Sequence, residues 1–300
     1  MLVQSDFQHA DAATFLFNQN TYLKAHQHTP VIFIDTNTVR SILCKFVESE
    51  PGKYVSGIRA PFGGIECSDI TQLDAFVKNI LSTYQRLHAI SIIIRQAPDC
   101  YQPNVSAEIK KILLENGFNL EYTDVNQHIP VDPSKSFVTM IDDQKRRRLQ
   151  KLKNAGAHVQ FFNRIHSDDW YELYKRSREI KHFPVTISQQ TYNKLPDQLP
   201  GIYEYAGIFI ADKLIANAVV VKVNKNVLYY FAAASDPDYA ALSPAVMIIE
   251  AIYTMACEQG YSMIDLGISS VNGVLNDGLH LFKKHVGGID SEKNTFEFKY

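Results

Sequence analysis

The sequence predicts an α/β (α+β) protein of two domains, each a mixed central sheet flanked by helices and splayed in its middle. Three observations carry that expectation. The chain is 300 residues long, close to the upper limit for one hydrophobic core. Apolar residues make up 46% and charged residues 21%, the balance of a folded globular chain. The order of elements passes twice from an antiparallel start to a strand–helix–strand crossover, the first time in abbreviated form.

In the first block, a short helix is expected around 10–18, followed by a loop rich in His and Gln. Apolar strands follow at 30–35, 39–47 and 54–58. Asp69 is placed to cap a helix whose apolar period runs through Leu73, Phe76, Val77, Ile80, Leu81 and Tyr84. Residues 89–95 read as a buried strand. Ser106 opens a second helix that Gly117 stops, and 118–123 return as a strand. Residues 124–140, with Pro130 and Pro133, read as a connection. The domain boundary falls within it, giving 1–135 and 136–300.

The second block opens with a basic helix over 141–155 that Gly156 ends. A strand at 158–163, a helix at 168–180 and a short helix capped by Ser188 come next. Three strands at 203–211, 214–223 and 227–234 are separated by tight turns at Asp212-Lys213 and Asn224-Lys225-Asn226. Ser243-Pro244 opens a strongly apolar helix that Gly260 stops. The chain closes with a strand at 261–266, a helix at 277–285 and a strand at 294–299.

Composition narrows the function classes. The formal net charge of −2 gives no bulk attraction to nucleic acid or acidic membranes, although a local basic patch would supply one. Cys44, Cys67, Cys100 and Cys257 are too far apart for CxxC spacing and are expected as reduced thiols. Residues 1–20 lack a basic and apolar signal pattern. No apolar run approaches membrane-spanning length, and the cytoplasm is the expected compartment. HExxH, Walker A, GxSxG and dinucleotide glycine patterns are absent. His26 and His28 have no third partner for a metal, so they read as a surface pair and no metal site is expected.

Three places stand out on residue chemistry. The free N–H groups of a helix start, here Ser243 to Ala245 with Pro244 at the first helical position, favour an anion; a Ser-Pro start is also common in ordinary helices. The run Lys145, Arg146, Arg147, Arg148, Lys151 and Lys153 suits a phosphate-rich donor, with Arg147 and Arg148 as candidate contacts, or forms a solvated face with Leu149 and Leu152 inward. In Arg59-Ala60-Pro61-Phe62-Gly63-Gly64, paired glycines permit close approach of a ligand to the backbone, and Arg59 suits a carboxylate or phosphate. Arg59, Phe62, Gly63 and Gly64 are therefore candidate substrate contacts, the alternative being a tight turn.

Four segments carry a family resemblance. Residues 144–156 form a basic helix ending in Ala-Gly. Leu242-Ser243-Pro244-Ala245 precedes a long helix ending in Glu258-Gln259-Gly260-Tyr261. Ile264-Asp265-Leu266-Gly267 follows, then Gly278-Leu279 with Phe282-Lys283 and Gly287. In this order they resemble the FemAB-like branch of the GNAT acyltransferase superfamily, which implies two tandem GNAT-like domains with the donor site in the second. Residues 236–244 lack the glycines of the usual acetyl-CoA loop, as that branch also does.

The resemblance implies an N-acyltransferase. Lys283 would stabilise a developing oxyanion, and Ser243 with Ala245 would hold donor phosphate. Asp265 either deprotonates or holds an amine nucleophile, or caps a loop backbone. One of Tyr229 and Tyr230 must face the cleft; as in GNAT enzymes it would protonate a leaving group, with Tyr230 the candidate, the alternative being a core tyrosine with a satisfied hydroxyl. No tightly bound cofactor is implied. The co-substrate is acyl-CoA, an acyl carrier or aminoacyl-tRNA, the first two favoured because no coiled-coil insertion interrupts 141–158. The acceptor is a small-molecule amine. A FemAB-type peptidyltransferase that uses aminoacyl-tRNA, and a degenerate GNAT-like protein that binds a ligand without chemistry, remain the alternatives.

Overall fold

Two tight turns organise the second half of the chain. Ala211 adopts a left-handed φ of 50°, and Ala211-Asp212 turns the strand Tyr203–Ile210 into Lys213–Asn224, with Lys213 opposite Ile210. Two-residue hairpin loops need positive φ values to match the twist of their strands. Asn224 Oδ1 accepts from the Asn226 N–H at 2.8 Å and closes the next turn, into Val227–Ser235. Ala157–Phe162 pairs antiparallel with the far side of Tyr203–Ile210.

The computed structural model describes residues 2–4, 13–35, 41–165, 167–181 and 183–300. The chain divides into two units: residues 1–126 with 268–276 and 290–300, and residues 127–267 with 277–289. In the second unit the apolar helix Pro244–Gln259 crosses over, and Met263–Ile268 joins Val227–Ser235 in parallel. Val246, Ile249 and Ile252 of that helix bury themselves against Val220, Leu228 and Ile264 of the sheet. The helix Asp169–Ile180 also packs on Lys213–Asn224 and Val227–Ser235. There Asn217 Nδ2 donates to the Trp170 carbonyl at 2.7 Å.

The first unit is built the same way in shorter form. Val31–Asp35, Ile42–Glu50 and Lys53–Val55 form an antiparallel run. Ser91–Arg95 then joins Lys53–Val55 in parallel. The helices Leu73–Arg86 and Ser106–Glu115 bring Phe76, Ile80, Tyr84, Ile109 and Leu113 onto Phe33, Phe46, Ile92 and Ile94. Asp69 caps as expected, its carboxylate accepting from the Thr71 N–H at 3.1 Å. The observed class is the one the sequence predicts, α/β (α+β) with mixed sheets flanked by helices.

The differences are local. Residues 124–130 continue the strand Asn119–Pro130; the buried Asp124 accepts from Ser270 Oγ at 2.7 Å and the Gly273 N–H at 3.0 Å, and the buried Gln127 donates to the His280 carbonyl at 3.2 Å. Residues 10–12 of the expected first helix, and residues 39–40 of the second strand, lie outside the described residues. Between residues 13 and 25 the chain forms a short 3-10 turn at Leu16–Asn18 and a helix at Asn20–Ala25. The helix capped by Ser188 continues through Pro196 to Gln198. Cys44, Cys67, Cys100 and Cys257 are free thiols. Among the described residues no helix is long and apolar enough to cross a membrane.

Candidate active site

The strands Val227–Ser235 and Met263–Ile268 stay together for only three residue pairs, Val227 with Met263, Leu228 with Ile264 and Tyr229 with Asp265. Beyond Tyr229 the first strand holds on to Lys213–Asn224 alone, with Tyr230 opposite Val220 and Phe231 opposite Val219. The sheet of the second unit thus parts at Tyr229 and Asp265. Just past that point Ala232 takes a left-handed φ of 47° and the register shifts, so that Ala234 faces Asn217. This bulge turns backbone amides out of the ladder, at a cost of about 1–2 kcal/mol for a non-glycine residue.

Polar side chains gather where the strands part. Asp265 is buried, and its Oδ1 accepts from the Gly267 N–H at 2.7 Å. Gly267, at φ 75°, lies against the Tyr229 ring; a methyl group on it would stand 3.2 Å from Tyr229 Cε2. Lys283 is 5% exposed, and its Nζ donates to the Gly267 carbonyl oxygen at 2.8 Å. Burial brings the Lys283 ammonium down to about 7, against the opposing pull of the Asp265 charge. Burial, and then the Asp265 charge, raise the Tyr229 phenol above its usual range. Lys283 is set by the end of its own helix, Asp277–His285: its carbonyl accepts from the Val286 and Gly288 amides at 3.2 and 2.8 Å.

Strand alternation decides between the two tyrosines. Tyr229 shares a face with Phe231, ring to ring at 5.6 Å, and meets Gly267. Tyr230 points the other way and packs against the apolar core under Pro244–Gln259. The structure therefore brings Tyr229, rather than the expected Tyr230, beside Asp265 and Gly267.

The basic helix Asp143–Asn154 links this region to the Ser243 helix start. Leu149 and Leu152 face inward as expected, and Lys145 is buried with them. Lys145 Nζ sits 4.8 Å from the centre of the Phe282 ring, and burial followed by the Arg148 charge lowers its pKa. Arg148 lies one turn further along the same face, and its Nη1 donates to Ser243 Oγ at 3.2 Å. Ser243 has φ 50° and ψ 59° and makes no side-chain cap, so its hydroxyl serves Arg148 instead of the helix. One face of one helix thus meets Ser243 and the residue preceding Lys283. Ala245 lies at the open first turn of Pro244–Gln259, while Arg147 is exposed. A separate groove of ≈ 680 Å³ is lined by Lys153, Phe161, Met247, Glu250 and Met255 among others, and by none of Ser243, Asp265 and Lys283.

The candidates of the first unit have different surroundings. Phe62 is 1% exposed and packs edge-on against Phe15, Phe17 and Tyr101. A Cβ on Gly63 would meet the Gly57 amide nitrogen at 2.3 Å, and one on Gly64 would meet Gln96 Oε1 at 2.5 Å. The close approach these glycines permit is taken up by their own unit, as in the tight-turn alternative. Arg59 is exposed. Among the described residues no three of His, Cys, Asp and Glu are grouped to hold a metal ion.

Residues 143–274 match the family model described as an acetyltransferase (GNAT) domain. No curated protein sequence matches the chain. In fold it is similar to FemX, at 13% identity and TM-score 0.68, covering 98% of this chain and 94% of that one. It is also similar to the C-terminal domain of a putative lysylphosphatidylglycerol synthetase from Agrobacterium fabrum, at 10% identity and TM-score 0.61, covering 96% and 88%. A tandem GNAT protein from the clavulanic acid biosynthesis pathway gives 10% identity and TM-score 0.51, covering 87% and 79%. The class the family match supports is a transferase of acyl groups. The match of residues 143–274 to the GNAT domain model and the likeness in fold to FemX agree with the resemblance to the FemAB-like branch of the GNAT superfamily stated from four segments of sequence.

Proposed function

We propose that the chain is an N-acyltransferase that moves an acyl group from acyl-CoA or an acyl carrier to a small-molecule amine by direct attack. The observation that carries this reading is the parting of the strands at Tyr229 and Asp265, with Lys283 buried against Gly267 beside it. On this reading residues 136–300 hold the donor and 1–135 form an abbreviated companion domain.

The donor's phosphates lie at Arg148, Ser243 and the Ala245 amide, with the exposed Arg147 drawing them in. The acyl carbonyl enters between the parted strands. The amine nitrogen attacks the carbonyl carbon, a C–N bond forms and the thioester C–S bond breaks. Asp265 receives the proton the amine loses, the Lys283 ammonium stabilises the oxyanion, and Tyr229 protonates the departing sulfur. Tyr229 takes the role expected of Tyr230 because of the two it alone adjoins Asp265.

A second reading, with aminoacyl-tRNA as the donor, is favoured by the exposed Arg147 and Lys151 on the basic helix. Mass spectrometry of the purified protein, mixed with CoA thioesters and charged tRNAs, separates the two by which donor is retained. Transfer to a panel of amines then tests the chemistry. A retained CoA thioester with no transfer to any amine would leave a ligand-binding protein without catalysis.

A further inference from the structure

The basic helix Asp143–Asn154 meets the helix of Lys283, Asp277–His285, at two points one turn apart. The Asp142 N–H donates to the His285 carbonyl at 2.9 Å, and Lys145 Nζ sits 4.8 Å from the centre of the Phe282 ring. From Asp142 to Lys145 is three residues forward, and from His285 to Phe282 is three residues back. Over this turn the two helices run past each other in opposite directions. A backbone bond and a side-chain contact together hold the end of Asp277–His285 against rotation about its axis.

Lys145 is out of keeping with its place. It is 8% exposed and shares the inward face of its helix with Leu149 and Leu152. Among the described residues its ammonium has no hydrogen bond and no carboxylate at ion-pair distance. The Asp142 carboxylate, three residues before it, accepts from the Gln144 N–H at 2.8 Å and caps the helix. Burying an ammonium without a counter-charge costs more than burying a third leucine would, and among the described residues the face of Phe282 is the group set to receive it. Phe282 directly precedes Lys283, whose side chain leaves the same helix about 100° further round. What fixes the Phe282 ring thus fixes the direction of Lys283 as well.

We propose that Lys145 is a positioning residue: its ammonium, held on the face of Phe282, fixes the rotation of the helix Asp277–His285 and so keeps Lys283 Nζ on the Gly267 carbonyl. In this role Lys145 touches neither donor nor acceptor and acts through Phe282 alone. That Lys283 then acts on an oxyanion rests on the transferase reading above, while its placement by Lys145 does not.

Titration of Lys283 by NMR in the full chain labelled at the lysine Cε atoms, with Lys283→Met to assign its signal, tests the placement without any transfer reaction. The parent signal titrates at about 7, the value to which burial lowers it. Lys145→Met keeps the apolar stem and removes the charge, while Phe282→Leu keeps the charge and removes the ring. In both, Lys283 leaves its buried place and titrates higher, towards an ordinary lysine. Lys145→Arg and Phe282→Tyr keep a cation on an aromatic face and stay near the parent. In the transfer reaction, turnover at saturating donor falls by roughly tenfold to 100-fold in Lys145→Met, the cost of a misplaced group, and recovers in Lys145→Arg. Donor affinity stays within a few-fold of the parent throughout. A Lys283 signal unmoved in both Lys145→Met and Phe282→Leu, or a Lys145→Arg as defective as Lys145→Met, would overturn the role. So would loss of donor binding in Lys145→Met with the Lys283 signal unmoved, which would put Lys145 at the donor instead.

Discussion

Lys283 Nζ donates to the carbonyl oxygen of Gly267 at 2.8 Å, two residues beyond the last paired position of the parallel strands, Asp265. A lysine that donates to a backbone carbonyl from a buried position is held in one orientation by a neutral group that leaves its charge intact. Lys283→Met keeps the apolar stem and removes the charge. Its expected effect is a loss of turnover of roughly 100-fold to 1,000-fold, the size seen when an oxyanion donor is removed. Donor affinity measured by equilibrium binding stays within a few-fold of the parent. A variant that keeps its turnover removes Lys283 from the mechanism.

The same residue predicts a pH profile. Only the ammonium stabilises an oxyanion, so turnover falls as pH rises through about 7, the value to which burial lowers Lys283. Stability runs in the opposite sense. Below about 7 both folded and unfolded chains carry the proton. Between about 7 and 10.5 the unfolded chain binds it and the folded chain does not, so this group makes stability rise with pH across that window. Denaturation of the parent and Lys283→Met at several pH values isolates the contribution, and parallel curves for the two proteins would contradict it.

Arg148 and Ser243 predict a binding effect without a chemical one. Arg148 reaches Ser243 at the open start of Pro244–Gln259. Its removal takes a charge-assisted contact from the donor phosphates, worth about 1.5–3 kcal/mol, or roughly 10-fold to 100-fold in affinity. Arg148→Ala should weaken retention of the donor and leave turnover at saturating donor nearly unchanged. The reverse pattern would put Arg148 in the chemistry and not at the phosphates.

Much of this arrangement is legible in sequence, and the remainder fails for physical reasons. Lys145 precedes Leu149 by four and Leu152 by seven positions, so helical spacing alone places it on the inward face, although its neighbours in the basic run suggest solvent. Ile264 and Leu266 flank Asp265 and mark its face as the polar one. Which tyrosine stands beside Asp265 is not a local property: it depends on the parallel register that pairs Tyr229 with Asp265. Residues 124–130 read as a connection because three of their four buried members, Asp124, Asn126 and Gln127, are polar, and only tertiary partners make a strand of them. The paired glycines Gly63 and Gly64 announce a close approach truthfully, but the partner that comes close is the chain itself.

Those glycines make a stability prediction that needs no assumption about function. A methyl group on Gly63 would stand 2.3 Å from the Gly57 nitrogen and 2.8 Å from its Cα, backbone atoms that cannot swing aside as a side chain would. Gly63→Ala should therefore lower unfolding free energy by at least the roughly 1–3 kcal/mol of an overpacked core site. Gly156 is the control, since nothing lies within 4 Å of a methyl group there. Its φ of 78° leaves only the left-handed strain of about 1–2 kcal/mol. Chemical denaturation of the two variants side by side checks the comparison. If Gly63→Ala proves no more costly than Gly156→Ala, backbone crowding is not why glycine stands at position 63, and contact with a ligand regains its place as the explanation.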